Sequence, residues 1–124
     1  MALEHLGTPE SPTFGLDTFG DRGTDPVGRV VSHAEALRQV VEEAVLADRL
    51  GLDFIGVGEH HRDDFAISSP DVVLATIAGR TERIRLGTSV TVLSSDDPVR
   101  VFERFSLRIR ARAAGSFGRN GGSG

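Results

Sequence analysis

Two histidines and three acidic residues stand together in the run GVGEHHRDDF, residues 56–65. Glu59, His60 and His61 are consecutive, so half of the chain's four histidines lie side by side. Because an imidazole changes its charge near neutral pH, a histidine here could donate, accept or relay a proton. The same side chains could instead bind a metal ion, or serve only as hydrogen-bonding groups at a strand end. The run alone leaves a catalytic site, a metal site and a polar loop open.

The glycines before the histidines predict which of them faces a ligand. Successive strand residues point to opposite faces, so a strand that continues to residue 60 puts His60 on the face of Gly56 and Gly58. Glu59 then shares the other face with Val57. We expect the glycine face to have room for a flat ligand beneath His60. A metal site is not expected, because adjacent ligands on a strand diverge and no third or fourth ligand follows at a recognised spacing.

Capping residues and apolar periodicity predict that strands and helices alternate around this run. The expected strands cover residues 13–19, 53–58 and 84–93. The expected helices open at Ser32, Ser69 and Asp97, which are N-cap residue types. The first helix has the clearest limits, because Ser32 and Glu35 can form a capping box and Gly51 can end it. A strand followed by a helix, repeated along the chain, is typical of parallel βα units with right-handed crossovers.

The composition excludes several classes of protein. The chain has 124 residues, of which 39% are hydrophobic and 26% charged, as in an ordinary soluble domain. The absence of cysteine excludes disulfides, thiolate metal sites and cysteine nucleophiles. No apolar run reaches the ~18 residues that span a bilayer. The N-terminus also lacks the features of a signal peptide, so we expect a cytoplasmic protein without a membrane partner.

Three segments are expected along the chain. Residues 1–12 are polar and contain two prolines, which predicts a flexible arm. Residues 13–107 hold the βα units, and residues 108–124 form an Arg- and Gly-rich tail that we expect to be disordered. We interpret the arginines of the third helix as a solvated face, not as a nucleic-acid site. Three βα units are too few to close an eight-unit barrel or to complete a doubly wound sheet. The sequence therefore predicts the first part of a larger α/β fold that is cut short.

Several runs, taken in order, resemble the bacterial-luciferase-like flavin-dependent monooxygenases. They are GVGEHH, an SP helix start, RIRLGTSVTVL and DDPVRVFE, and the resemblance extends from about Thr13 to Phe105. It implies the N-terminal part of a TIM (β/α)8 barrel, truncated after about three units. It also implies that reduced FMN from a separate reductase acts with dioxygen on a small organic substrate. Some relatives use coenzyme F420, which we expect less here.

The resemblance also implies roles for single residues. His60 would lie near the flavin and handle protons there, with Glu59 as its motif neighbour at the cofactor. Thr88, Ser89 and Val90 match a family position where a bulge presses on the flavin ring, often through a non-proline cis peptide. Here that bond would join Ser89 to Val90. The predicted site therefore comprises a catalytic histidine and four cofactor contacts.

After Phe105 the sequence departs from the family. The family continues into a fourth strand, whereas this chain reads SLRIRARAAGSFGRNGGSG. The phosphate-binding part of the family's flavin site comes largely from the later strands. An alternative hypothesis therefore stands beside the enzyme. It is a catalytically inactive half-barrel fragment with at most a role in homo-oligomers, formed through the open edge of the third strand.

Overall fold

Strands and helices alternate along the chain in the computed structural model, which describes residues 12–114. The strands are β1 (Gly15–Thr18), β2 (Phe54–Val57) and β3 (Arg85–Thr88), and the helices are α1 (His33–Leu50), α2 (Pro70–Ala78) and α3 (Pro98–Ala114). The strands form one sheet in the order β1-β2-β3, and both neighbouring pairs are parallel. The predicted succession of parallel βα units is confirmed.

Helix α1 begins and ends at the residues that its sequence predicts. The Ser32 side chain accepts the Glu35 N–H, and the Glu35 carboxylate accepts the Ser32 N–H, so the capping box is formed. Arg29 donates to both carboxylate oxygens of Glu35 at 3.1 Å. These hydrogen bonds hold the pKa of Glu35 well below its ordinary value. Gly51 ends the helix with a φ of 82°, a left-handed conformation that favours glycine.

The hydrophobic core lies between one face of the sheet and helices α1 and α2. Its buried members are Val40, Val41, Ala44, Ala47, Ile55, Val57, Ile67, Val73, Leu74, Ile77 and Ile84. Ile55 and Val57 are the β2 side chains that point into this core, and both are almost fully buried. Because strand residues alternate, the intervening Gly56 faces the other side of the sheet. Packing therefore fixes which face of the sheet is left for a site.

A buried carboxylate on α1 fixes the start of β3. Asp48 accepts backbone N–H groups from Glu82, Arg83 and Ile84 at 2.9, 2.8 and 2.7 Å. Burial would raise the pKa of Asp48, but these hydrogen bonds and the nearby Arg83 guanidinium lower the pKa below its ordinary value. The fully buried Ile84 then leads directly into β3.

All three strands are shorter than the sequence predicts, and β2 ends at Val57, so the strand does not continue to His60. Strand β3 ends at Thr88, although apolar residues keep alternating as far as Val92. Ser89 N–H still donates to Val57 O at 3.1 Å. Val92 N–H, however, donates to the Glu59 carboxylate. Beyond Ser89, the chain therefore bonds to a side chain that follows β2 and no longer continues the strand ladder.

Other expectations differ from the structure or fall outside it. Helix α3 continues through residues 108–114, which the sequence assigned to the tail. Ser69 occupies the N-cap of α2, but its side chain makes no capping hydrogen bond. No peptide bond among the described residues is cis, so the expected cis bond between Ser89 and Val90 is trans. The arm up to residue 11 and the tail from residue 115 lie outside the described residues.

Candidate functional site

The sheet face opposite the core bears the glycines, and aromatic rings cover it. Gly56 and Gly87 lie side by side in the register of β2 and β3. A Cβ on Gly87 would lie 2.9 Å from the Phe54 ring, and a Cβ on Gly58 would collide with the Phe19 ring. The expected room for a flat ligand directly on these glycines is therefore absent. Side chains from β2 and from the end of β1 fill that space.

His60 lies between two phenylalanine rings. Its imidazole stacks on Phe65, with ring centroids 4.3 Å apart and planes 17° apart. Phe19 approaches from another side, with its centroid 5.1 Å away and its ring tilted. The His60 backbone N–H donates to Ile67 O at 2.9 Å, whereas its ring makes no hydrogen bond to any described residue. Aromatic contacts thus orient the ring and leave its nitrogens without a partner in this part of the chain.

The sequence does not single out Phe19 or Phe65 as site residues. Phe19 reaches the site because the β1–β2 register places it over Gly58. Phe65 reaches His60 because the loop after β2 folds back and forms an antiparallel bridge between Asp21 and Phe65. Both contacts depend on strand register or loop folding, which no local sequence pattern contains. A prediction of the β1–β2 register would have identified Phe19.

The loop that carries His60 is tied to the loop after β1. Arg22 N–H donates to Asp64 O at 3.0 Å, and the Arg22 guanidinium donates to Asp63 O at 2.7 Å. The Arg22 side chain is only 16% exposed, so the surrounding loops bury it. We call these two segments, residues 19–31 and 59–67, the rim loops. Their hydrogen bonds make them one connected layer around His60.

Glu59 is buried, and both of its carboxylate oxygens have partners. Oε1 lies 2.6 Å from His61 Nε2, and Oε2 accepts the Val92 N–H at 3.1 Å. The Glu59 side chain is 8% exposed, whereas that of His61 is 54% exposed. By the alternation along β2, Glu59 lies on the core-facing side together with Val57. Its carboxylate therefore points away from the glycine face.

The residues at the end of β3 lie in different surroundings. The Ser89 Cβ is 3.2 Å from the place that a Cβ on Gly56 would take, so Ser89 lies on the glycine face. The Ser89 Oγ is buried and has no hydrogen-bond partner among the described residues. Thr88 points to the opposite face, and Val90 is 46% exposed. The predicted site residues thus divide between the two faces, with His60 and Ser89 on one and Glu59 and Thr88 on the other.

A cavity of about 250 Å³ opens on the core-facing side of the sheet. Glu59 and Thr88 line it, together with the start of α2 and part of α3. Arg104 forms one wall, where it binds Asp71 at 3.3 Å and also pairs with Asp96. Its lining does not include His60 or Ser89, so this cavity is separate from the glycine face.

Two ion pairs form within the run GVGEHHRDDF. Glu59 pairs with His61, and Arg62 pairs with Asp64 at 2.8 Å. Within residues 12–114, no three His, Cys, Asp or Glu side chains are placed to hold a metal ion. Over the same range, no helix has the length and apolarity to cross a membrane.

Residues 14–107 match the family model described as luciferase-like monooxygenase. The chain belongs to this family. The matched range includes the glycine face, His60 and the end of β3. The described βα units are therefore the N-terminal part of a TIM barrel, and the resemblance that the runs GVGEHH and RIRLGTSVTVL indicate is confirmed.

Curated relatives in this family include monooxygenases with different substrates in their names. The 4-hydroxyprotoasukamycin monooxygenase of Streptomyces nodosus subsp. asukaensis is 45% identical over 65 residues, which are 52% of this chain and 18% of the relative. The N-acetyl-S-alkylcysteine monooxygenase of Bacillus subtilis is 33% identical over 82 residues, which are 65% of this chain and 25% of the relative. This chain spans a quarter or less of the length of these relatives.

Solved structures share the fold of the described residues. The crystal structure of apo-MsnO8 has a TM-score of 0.68 and 31% identity, and the likeness covers 78% of this chain and 29% of that one. A type II Baeyer–Villiger monooxygenase of Pseudomonas putida, solved in complex with FMN, has a TM-score of 0.68 and 20% identity. That likeness covers 82% of this chain and 27% of the other, and it concerns the fold.

Proposed function

We propose that this chain serves flavin-dependent monooxygenation, in which reduced FMN and dioxygen act on a small organic substrate. Membership of the luciferase-like family supports this class of reaction. The deciding observation is the half-buried His60 imidazole, held between two phenylalanine rings with no hydrogen-bond partner among the described residues. A group held in this way can exchange a proton with a molecule bound beside it.

A flavin on the glycine face would lie over the aromatic rings that fill it and not directly on the glycines. The buried Ser89 hydroxyl has no hydrogen-bond partner within residues 12–114, so a polar edge of a ligand that reaches it would satisfy it. Phe19 and Phe54 cover the glycines with flat apolar surface on which a ring system can stack. Thr88 and Val90 would support this wall through the backbone at the end of β3. FMN is favoured over coenzyme F420, because a monooxygenase with this fold binds FMN.

His60 has one task in this proposal, which is to hold or deliver a proton at a ring nitrogen. Bound reduced FMN would supply the electrons that activate dioxygen. Phe19 and Phe65 keep the plane of the imidazole fixed and limit the access of water to it. The Ser89 hydroxyl would orient the bound ring system by accepting or donating one hydrogen bond. A separate reductase would deliver FMN in its reduced form.

A titration of the full chain with FMN tests the proposal. The visible absorbance and fluorescence of the flavin report binding, because a polypeptide gives no signal in that range. We expect a saturable change in flavin fluorescence at micromolar concentrations. No binding at high micromolar FMN would reject the function for this chain, and it would favour the inactive half-barrel.

Replacing His60 by Ala tests the role of the imidazole. We expect oxidation of small aldehydes with reduced FMN to slow by about 10²–10⁴-fold, as is typical when a general acid or base is lost. Flavin affinity should change little. His33→Ala is the matched control, because His33 lies on α1 with a half-exposed side chain, 3.7 Å from Asp63. Unchanged turnover in His60→Ala, with His33→Ala also active, would reject the proton role.

A further inference from the structure

We infer that Glu59 is a positioning residue that fixes the segment after β3 from the side of the sheet opposite to the glycine face. This segment, residues 89–92, contains Ser89 and Val90. The part of the inference that concerns FMN rests on the proposed function. The part that concerns the segment rests on the hydrogen bonds of Glu59 alone.

The carboxylate of Glu59 is built into the protein and is not free for a ligand. Its side chain is 8% exposed, and each oxygen has its own partner. Oε2 accepts the Val92 N–H at 3.1 Å, a hydrogen bond between residues 33 positions apart. A hydrogen bond from a backbone N–H to an ionised carboxylate is stronger than one between neutral groups. Glu59 therefore links the end of β2 to the segment that follows β3.

The segment after β3 has few other long-range hydrogen bonds. Ser89 N–H donates to Val57 O at 3.1 Å, which is the last bond of the strand ladder. Beyond it, the Thr91 hydroxyl donates to the Thr88 hydroxyl, and Ser95 N–H donates to Val92 O, both within four positions. Of the hydrogen bonds made by the described residues 90–95, the one to Glu59 reaches furthest along the chain.

The position of the Ser89 hydroxyl depends on both ends of this segment. At one end of the segment, the Ser89 N–H bonds to Val57 O in β2. At the other end, three residues later, the Val92 N–H bonds to Glu59. Without the second bond, the chain after Ser89 would be free to swing away from the sheet. The buried Ser89 Oγ, which has no hydrogen-bond partner in the described part of the chain, would then lose its fixed place on the glycine face. Glu59 thus acts on the site through Ser89.

His61 is the second partner of this carboxylate. Its Nε2 lies 2.6 Å from Glu59 Oε1, so it fixes the rotation of the carboxylate and directs Oε2 at Val92. Glu59→Gln keeps one acceptor oxygen for Val92 N–H, and its amide can still bond to a neutral His61. Glu59→Ala removes both contacts. Comparing the two variants therefore shows how far the protection of Val92 depends on an acceptor oxygen at residue 59.

Hydrogen exchange of the flavin-free full chain tests the inference. We expect the Val92 amide to exchange about tenfold to hundredfold faster in Glu59→Ala than in the unchanged chain, as the loss of one such hydrogen bond implies. Glu59→Gln should retain most of the protection. Glu43→Ala is the matched control, because Glu43 is exposed on α1. The amides of α1 show whether each variant is folded.

Two results would overturn the inference. One is unchanged protection of Val92 in a folded Glu59→Ala variant. The other is a loss of Val92 protection in Glu43→Ala as large as in Glu59→Ala, because the effect would then not be specific to Glu59. If Glu59→Ala unfolds, the hydrogen bond is tested in the unchanged chain by the temperature coefficient of the Val92 amide proton chemical shift. A value typical of a solvent-exposed amide contradicts the hydrogen bond, and a small value supports it.

A parallel measurement of FMN affinity keeps this inference apart from the proposed function. If the unchanged chain does not bind FMN, the proposed function fails. The hydrogen exchange of the Val92 amide still tests the role of Glu59 in that case. If it binds, we expect Glu59→Ala to weaken FMN about tenfold or more and Glu59→Gln to bind nearly as well as the unchanged chain. Equal affinity in all three chains would contradict the role of Glu59 at the flavin site.

Discussion

Two buried carboxylates hold the two ends of β3 through backbone N–H groups. Asp48 accepts N–H groups from the residues that lead into the strand, and Glu59 accepts one from Val92, beyond its end. Both acids lie on the core-facing side, where an unpaired charge would be costly. Each carboxylate is therefore stabilised by the strand that it positions. The short strand β3 owes its placement to both of them.

We predict that removing the charge of Asp48 lowers the stability of the folded chain. Asp48→Asn replaces one acceptor oxygen with an NH₂ group that faces backbone donors. We expect the free energy of unfolding to fall by about 1–3 kcal/mol at neutral pH. Urea denaturation followed by circular dichroism measures it. Asp21→Asn is the control, because Asp21 is exposed, and the same loss there would show that the effect is not specific to Asp48.

The pH dependence of this loss has a definite sign. The pKa of Asp48 is lowered in the folded chain, so its contribution is full above the unfolded pKa, about 3.9. The contribution then disappears as the pH falls through the lower, folded pKa. The difference in unfolding free energy between Asp48→Asn and the unchanged chain should therefore shrink below about pH 4. A difference that grows with acidity would contradict this account of Asp48.

At the scale of the elements, the two capping serines predict unequal effects. The Ser32 side chain accepts the Glu35 N–H at 3.2 Å, whereas the Ser69 side chain makes no capping hydrogen bond. Ser32→Ala should thus lower the free energy of unfolding by about 0.5–2 kcal/mol. Ser69→Ala, the matched substitution at the start of α2, should have a smaller effect. Equal losses in the two variants, measured by urea denaturation, would show that capping by Ser32 is not the cause.

The elements also show which parts of the fold the sequence can predict. The limits of α1 were predictable, because Ser32, Glu35 and Gly51 act on neighbouring backbone groups. The length of β3 was not predictable from alternation, since the apolar alternation continues to Val92 although the last ladder bond to β2 is that of Ser89. Local signals therefore identify helices well here.

The site was predictable only in part. Alternation along β2 correctly separates Glu59 from the glycines, because Glu59 is buried beside the core. The filling of the glycine face was not predictable, since it depends on the register that puts Phe19 over Gly58. The roles of His60 and Ser89 at a flavin stay predictions. No pattern within a single strand could reveal that Phe65 stacks on His60.

At the scale of the whole molecule, the described residues expose an apolar side of α3 and unpaired sheet edges. Val99, Phe102 and Leu107 are 63%, 72% and 63% exposed. Within residues 12–114, β1 and β3 each pair with a single neighbouring strand. Such edges and apolar surface favour contact with a second copy of the chain. We predict that this surface supports self-association.

We expect this association to depend on concentration and on Phe102. Size-exclusion chromatography with light scattering should show a molar mass that rises with protein concentration, because association follows mass action. Phe102→Ser should weaken the association without unfolding the chain, since this ring is 72% exposed. Val27→Ser is the control, because Val27 is 87% exposed in a rim loop. A constant monomer mass at all concentrations would contradict the expectation.

The hydrogen bonds between the rim loops have a consequence for exchanging parts among relatives. Arg22 donates hydrogen bonds to the backbone oxygens of Asp63 and Asp64 in the other loop, so the paths of the two loops are coupled. Because Arg22 bonds to main-chain oxygens of Asp63 and Asp64, a graft of residues 59–67 from another family member keeps these bonds only where the imported backbone follows the same path. We therefore expect chimeras that transfer residues 19–31 and 59–67 as a single module to keep the loop geometry better than grafts of one loop.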